Sequence, residues 1–272
     1  MKELRQGNRF FGMDYILALE EHYPELVGGE ALAKVDDELH IGIVAAWTRD
    51  RETVGVDAPN RFQQMGQRSW DQDRKAWAVS GGIHSDLRYA GAFGSYKGLI
   101  NLKPAIDLVL YSNLIWELQP RTILEFGSLQ GGSALWFSDQ LDSLCGHGEV
   151  HSFELCYKCI HPRASHPRLH FHEADLRDLG TLDKSLFERL PHPWLVIDDA
   201  HVNLLKLLPF VASFMVAGDY YVIEDVFLRP TAEVAAKASA GCEALGFLVD
   251  AKYADAFGYN ATCSPNGWWV KK

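Results

Sequence analysis

The sequence predicts a doubly wound α/β fold: a mostly parallel, Rossmann-like sheet of seven strands whose last strand runs antiparallel. Three observations carry this. Short apolar runs alternate with segments of helical period from Pro104 onward, the pattern of strands joined by crossover helices. The first run, RTILEFG, ends in a glycine-rich turn that opens directly into a helix. The last two runs, FLVDAKYAD and NGWWVKK, have only a polar loop between them, which reads as an antiparallel pair at one edge.

The elements follow in order. AIDLVLYSNLIWELQP carries apolar residues at helical spacing and is stopped by Pro120. After RTILEFG come the helix GGSALWFSDQLDSL, the strand EVHSFE and the strand RLHFHEAD. SLFERL reads as a helix, PWLVIDD as a continuous apolar strand, and NLLKLLPFVASFMVA as a helix. GDYYVIEDV is the fifth strand and TAEVAAKASAGCEALG the helix behind it. Residues 1–98 lack this regularity and are rich in Gly, Gln, Asp and aromatics toward their end. They are read as a helical cap, an oligomerisation arm and a lid, which implies a homo-oligomer. Residues 99–272 are the main domain.

Composition narrows the function. Hydrophobic residues make up 47% and charged residues 23%, enough for a real core. A formal charge of −10 with no Lys/Arg run argues against nucleic acid, whose phosphates want a basic face. No window approaches the roughly 20 apolar residues of a membrane span, so no membrane is expected. The five cysteines, and an N-terminus without an apolar leader, point to reduced thiols in a cytoplasm.

The glycine-rich turn spans Glu125 to Ser133, ILEFGSLQGGSALWF. Gly127 turns the chain and Gly131 permits close backbone approach, with Ser128 and Ser133 lining the turn. The spacing fits neither G-x-G-x-x-G nor a phosphate-cradling G-K-[ST] loop. Glu125 just inside the turn repels pyrophosphate and suits a cationic ligand, which favours S-adenosylmethionine. Glu154, ending the next strand, is placed to accept hydrogen bonds from ribose hydroxyls, and Asp175, after the third, to sit near an adenine.

A second constellation lies at the ends of the fourth and fifth strands, Ile197-Asp198-Asp199-Ala200-His201 and Ile223-Glu224-Asp225. Neighbouring parallel strands bring these acids together, where they repel unless a cation or proton intervenes. An oxygen-only donor set suits Mg²⁺, or Mn²⁺, which would bind a substrate's oxygens and acidify a hydroxyl. Asp198, Glu224 and Asp225 are the candidate ligands; Asp198 also borders the cofactor site. His201 is the candidate general base. The bland alternative is that Asp198 and Asp199 cap the following helix while His201 packs beneath it.

Together KGLINLKPAIDLVLYSNLIWELQPRTILEFGSLQGGSALWF, VIDDAH, GDYYVIEDV and NGWWVKK resemble the cephalosporin hydroxylase family, over about residues 95–272. That family is built on the class I S-adenosylmethionine-dependent methyltransferase fold and is related to metal-dependent O-methyltransferases of macrolide sugars. The resemblance implies that Glu125, Gly127 and Glu154 hold the cofactor, and that Asp198, Glu224 and Asp225 fall where metal ligands lie. His201 falls where related enzymes place a basic residue. Many relatives have an acid directly before this His, whereas here Ala200 stands there and Asp199 one place earlier, leaving Asp198 or Asp199 as ligand; Asp198, at the strand end, is favoured. The acceptor implied is a hydroxylated small molecule, a natural-product or sugar hydroxyl, in natural-product biosynthesis. Two other readings stay open: a metal-independent N-methyltransferase of the same fold, and a non-catalytic partner subunit that keeps the cofactor pocket.

Weaker signals remain. Cys156 and Cys159, with His147, His151, His161, His166, His170 and His172 nearby, invite a zinc reading, but one C-x-x-C with histidines scattered over opposite strand faces reads as ordinary thiols. Tyr96, Lys97 and Lys103, just before the helix leading into the first strand, read either as a lid set touching cofactor or substrate or, the preferred reading, as solvated lysines. His84, Arg88 and Tyr89, in the glycine-rich GGIHSDLRYAGAFGSYKG, are the substrate-side candidates.

Overall fold

The structure, a computed structural model, describes residues 61–68, 95–200, 202–224, 240–257, 260 and 262–272. Helix α1 (Ala105–Leu118) buries Ile106, Leu110, Tyr111, Leu114 and Ile115, the apolar face that its helical spacing announces. It ends at Gln119 in a left-handed conformation, φ 52°, directly before Pro120. Asp107 in its first turn is buried and accepts hydrogen bonds from Thr262 Oγ1 (2.8 Å) and the Cys263 amide (2.9 Å). That bond set ties the helix start to the chain's C-terminal loop.

The sheet is made by β1 (Phe62–Gln63), β4 (Thr122–Phe126), β5 (Glu149–Glu154), β6 (Leu169–Glu173), β7 (Trp194–Asp198), β8 (Tyr220–Ile223), β9 (Phe247–Asp250) and β10 (Trp268–Lys271). A separate two-stranded hairpin pairs β2 (Ser95–Tyr96) with β3 (Leu99–Ile100). The order across the sheet is β6-β5-β4-β7-β8-β10-β9-β1. The chain runs outward from β4 to β6, then returns to β7 on the other side of β4, so the reversal falls between β4 and β7. Every residue of β4, β7 and β8 is buried, as expected for strands covered on both faces. Covering helices include α2 (Gly132–Gln140), α3 (Lys184–Arg189) and α4 (Leu204–Ala212). Of the helix expected over TAEVAAKASAGCEALG, residues 240–244 are helical and most of the rest lies outside the described residues.

β4, β5, β6, β7 and β8 pair in parallel, and the last strand β10 is antiparallel to both β8 and β9, as expected. Two features differ from the sequence reading. FLVDAKYAD is not strand throughout: Asp250 ends β9 because its side chain accepts from the Lys252 amide (3.0 Å) and caps the short helix α5 (Ala251–Ala254). The two-residue β1 also adds an eighth strand, antiparallel to β9. Its anchor is a buried ion pair: Arg61 Nε and Nη2 reach Asp250 at 2.7–3.0 Å. Trp268 and Trp269 lie fully inside, stacked on Tyr253 and Tyr221. Among the described residues no helix is long and apolar enough to cross a membrane.

The histidines are less scattered than the sequence suggested. The parallel register sets His151 beside His170 and Phe153 beside His172, so Glu149, His151 and Phe153 share one sheet face with His170 and His172. Burial, and then the neighbouring rings of His172 and His170, push the His151 pKa down to about 3. Cys156 and Cys159 lie past the carboxyl end of β5, and neither they nor Cys145 and Cys242 form a disulfide.

Arg61→Leu should strand the buried Asp250 carboxylate and cost about 3–5 kcal/mol. Chemical denaturation checks this. A loss within 0.5 kcal/mol, the scale of ordinary surface substitutions, would show that β1 is not integral to the sheet.

Candidate active site

The carboxyl ends of β4, β5, β7 and β8 form one edge, and the glycine turn leaves β4 there. Gly127 has φ 100°, and a Cβ on it would lie 2.9 Å from the Asp199 carbonyl and the Ala200 amide. Its own amide donates to the Phe153 carbonyl (2.9 Å), and the Asp199 amide donates to the Phe126 carbonyl (2.9 Å). The turn is therefore clasped between the ends of β5 and β7. Gly132 opens α2 so close to β3 that a Cβ would stand 2.0 Å from the Ile100 carbonyl oxygen. Gly131 has φ 84° and faces Ala164 and Phe171, so a side chain there would meet packed residues.

Glu154 holds this turn: its carboxylate accepts from the Leu129 amide (2.8 Å) and the Leu155 amide (2.8 Å). Glu125 is fully buried; Ser152 donates to it (2.5 Å), and Ser128 meets Ser152 (2.5 Å). Burial raises the Glu125 carboxyl, against the opposing pull of Lys103, Ser133 and Ser152. Asp175 is bound bidentately by Arg177, at 2.8 Å twice, which holds its carboxyl below the usual range. The structure thus brings Glu125, Gly127, Ser128, Ser133 and Glu154 to one turn, while the Asp175 carboxylate is engaged by its neighbour.

The acid centre at the ends of β7 and β8 contains a residue that the sequence reading left in solvent. Lys103 is buried, 3% exposed, and its ammonium contacts Glu224 Oε2 at 2.8 Å and Asp199 Oδ2 at 3.1 Å. Tyr111 OH donates to the other oxygen, Glu224 Oε1 (2.5 Å), and Tyr221 OH donates to Asp198 Oδ2 (3.1 Å). The Glu224 amide donates to the Asp198 carbonyl (3.0 Å), which locks the two strand ends together. Burial works against the Lys103 charge, but Asp199, Glu224 and Glu125 outweigh it and raise its pKa. Burial, with repulsion from Asp199, pushes Glu224 up to about 7 despite Lys103 and Tyr111.

This donor set is chemically suited to a hard divalent cation. Its carboxyl donors are all oxygen, and one ammonium faces the carboxyl groups of Glu125, Asp199 and Glu224, with the buried Asp198 at the neighbouring strand end, so acids outnumber the cation. A cation ligated by Glu224 would share that carboxylate with Lys103 and Tyr111. His201 and Asp225, and the substrate-side His84, Arg88 and Tyr89, lie outside the described residues. Lys103, Tyr111 and Tyr221 were missed by sequence reasoning. The available signal was the surplus of strand-end acids, which demands a buried cation from somewhere in the chain.

Lys103→Met should cost about 3–5 kcal/mol at pH 8, where Glu224 is ionised with no counter-charge. Because the folded Glu224 pKa lies above its unfolded value, folding takes up a proton and stability rises as pH falls from about 7 to about 4.5. The variant's deficit should therefore shrink at pH 5.5. Equal losses at both pH values in urea titrations would contradict this.

The profile of the Rhamnosyl O-methyltransferase/CmcI family matches residues 89–241. The rhamnosyl O-methyltransferase of Mycobacterium leprae (strain TN) is 27% identical over 136 residues, covering 48% of this chain and 59% of that protein. The Mycobacterium bovis enzyme of the same name (strain BCG / Pasteur 1173P2) is 27% identical over 137 residues, with 48% and 56% covered. The chain thus spans little more than half the length of these relatives. Among solved structures, a CmcI structure with Mg and SAM is 29% identical with TM-score 0.56, covering 75% of this chain and 86% of that one. A CmcI structure with SAH is 26% identical at the same TM-score, covering 75% and 93%. With a matched profile over more than half its length, and with this sheet order and glycine turn, the chain belongs to the Rhamnosyl O-methyltransferase/CmcI family.

Proposed function

We propose that this chain is an S-adenosylmethionine-dependent O-methyltransferase acting on a hydroxylated small molecule, a sugar hydroxyl of the kind the rhamnosyl relatives are named for, with Mg²⁺ or Mn²⁺ assisting. The observation that carries this reading is the shared edge. The glycine turn held by Glu154 and the acid centre around Lys103 are clasped together by Gly127 against Asp199 and Ala200. When bound, S-adenosylmethionine would supply an electrophilic methyl group, and a divalent ion would lower the pKa of the acceptor hydroxyl.

The chain's own residues do the rest. The backbone at Gly127 and Ser128 lets the cofactor approach closely, and Glu154 offers its carboxylate to vicinal hydroxyls. Asp198 and Glu224, with Asp225, would hold the ion. His201 would take the acceptor's proton. Lys103 keeps Glu224 and Asp199 in fixed positions, so the centre's charge is organised before substrate arrives. A second reading rests on Lys103 itself: an ammonium already among the acids favours methyl transfer without a metal.

Labelled S-adenosylmethionine offered with rhamnosides tests the activity, and excess EDTA separates the two readings. Asp198→Asn should lower metal-dependent transfer roughly 100-fold or more, the scale of losing a charge-stabilising group, while SAH affinity by calorimetry stays within about threefold. Full activity in EDTA would remove the metal from the mechanism. Glu154→Ala should weaken SAH binding by about tenfold or more; unchanged affinity would misplace the cofactor.

A further inference from the structure

A second cluster of ligand-type side chains lies away from the active-site edge, at the amino-terminal part of β5 and on the edge strand β6. Glu149 begins β5, five residues before Glu154, a separation of roughly 16 Å along a strand. Glu149 Oε2 stands 3.7 Å from His151 Nε2 and 3.3 Å from His170 Nε2, and these three atoms all lie within 4.8 Å of one another. We infer that Glu149, His151 and His170 form a binding site for a zinc-class divalent ion that staples β6 to β5.

Several independent features support this. His151 is buried, its side chain 7% exposed, and neither its Nε2 nor that of His170 has a hydrogen-bond partner among the described residues. A buried imidazole nitrogen without a partner is costly, and a metal ion satisfies it. His151 Nδ1 lies 3.0 Å from His172 Nε2. If the proton of that bond sits on His151, its Nε2 lone pair faces Glu149 and His170. This outer bond orients a histidine ligand in the way metal sites use. Ring stacking of His151 on His170 (4.8 Å) and on His172 (5.2 Å), and of His172 on Phe153 (4.8 Å), fixes the orientation of all three imidazoles.

The donor chemistry selects the ion. Two imidazoles and one carboxylate suit zinc and its borderline neighbours, whereas the all-oxygen centre at Asp198 and Glu224 suits Mg²⁺. In a tetrahedral zinc site the ligand atoms lie about 3.3 Å apart, from bonds of about 2.0–2.1 Å. The two distances to Glu149 are already near that value. Glu149 and His170 are exposed enough to close the third edge by side-chain torsion, with water as the fourth ligand.

The test is zinc binding by the full chain, read by calorimetry, with Co²⁺ absorption as a second probe of tetrahedral nitrogen ligation. Zinc should bind at this site, separately from any taken up at the Asp198 centre, and the affinity of this site should fall at least tenfold in His170→Ala and in Glu149→Ala. Asp198→Asn should leave it unchanged. Circular dichroism confirms folding, and because Glu149 is exposed its variant remains informative if His170→Ala proves unstable. The proposal is overturned if no zinc binds up to about 1 mM. It is also overturned if both histidine-site variants bind within twofold of wild type, or if only Asp198→Asn loses the ion.

Discussion

The ammonium of Lys103 is the charge on which the candidate site's edge of the sheet depends. It reaches Glu224 and Asp199 from the segment leading into α1 and is drawn toward Glu125, so a single cation is shared by residues from β4, β7 and β8 and the loops that follow them. Without it, the buried carboxyls of Glu125 and Glu224 would have hydroxyl donors at most, and no counter-charge, to set against desolvation and repulsion among themselves and the partly buried Asp199. Tyr111, about two turns further on in α1, completes the arrangement by donating to the remaining Glu224 oxygen. Helix α1 therefore serves the site as well as the core: its buried face supplies Tyr111, and its start delivers Lys103.

Much of this fold was legible in the chain because the controlling physics is local. A run such as TILEF or WLVID is buried on both faces and carries no polar alternation, so its strand character and its place in the sheet centre follow from composition and length. The glycine turn was legible because Gly127 answers a steric demand. The illegible parts depend on distant partners. β1 exists because Arg61 meets Asp250 across 189 positions of sequence, and no two-residue window announces that. Lys103 reads as an ordinary solvated lysine until Asp199 and Glu224, 96 and 121 positions later, are seen to converge on it.

The histidines make the same point about register. Period-two alternation puts His170 and His172 on one face of their strand, but says nothing about which residues of β5 stand beside them. Parallel pairing in this register puts His151 beside His170; a slip of one residue would send it to the opposite face. The apolar pattern of the sheet thus fixes, as a by-product, which imidazoles meet.

The close approach at Gly127 has an evolutionary consequence. Because a side chain on Gly127 would collide with the backbone at Asp199 and Ala200, the turn after β4 and the loop after β7 share one steric boundary. Neither loop is free to drift alone. Sequence change near this boundary is channelled into side chains, while the main-chain path after β7 stays fixed by the needs of the neighbouring turn.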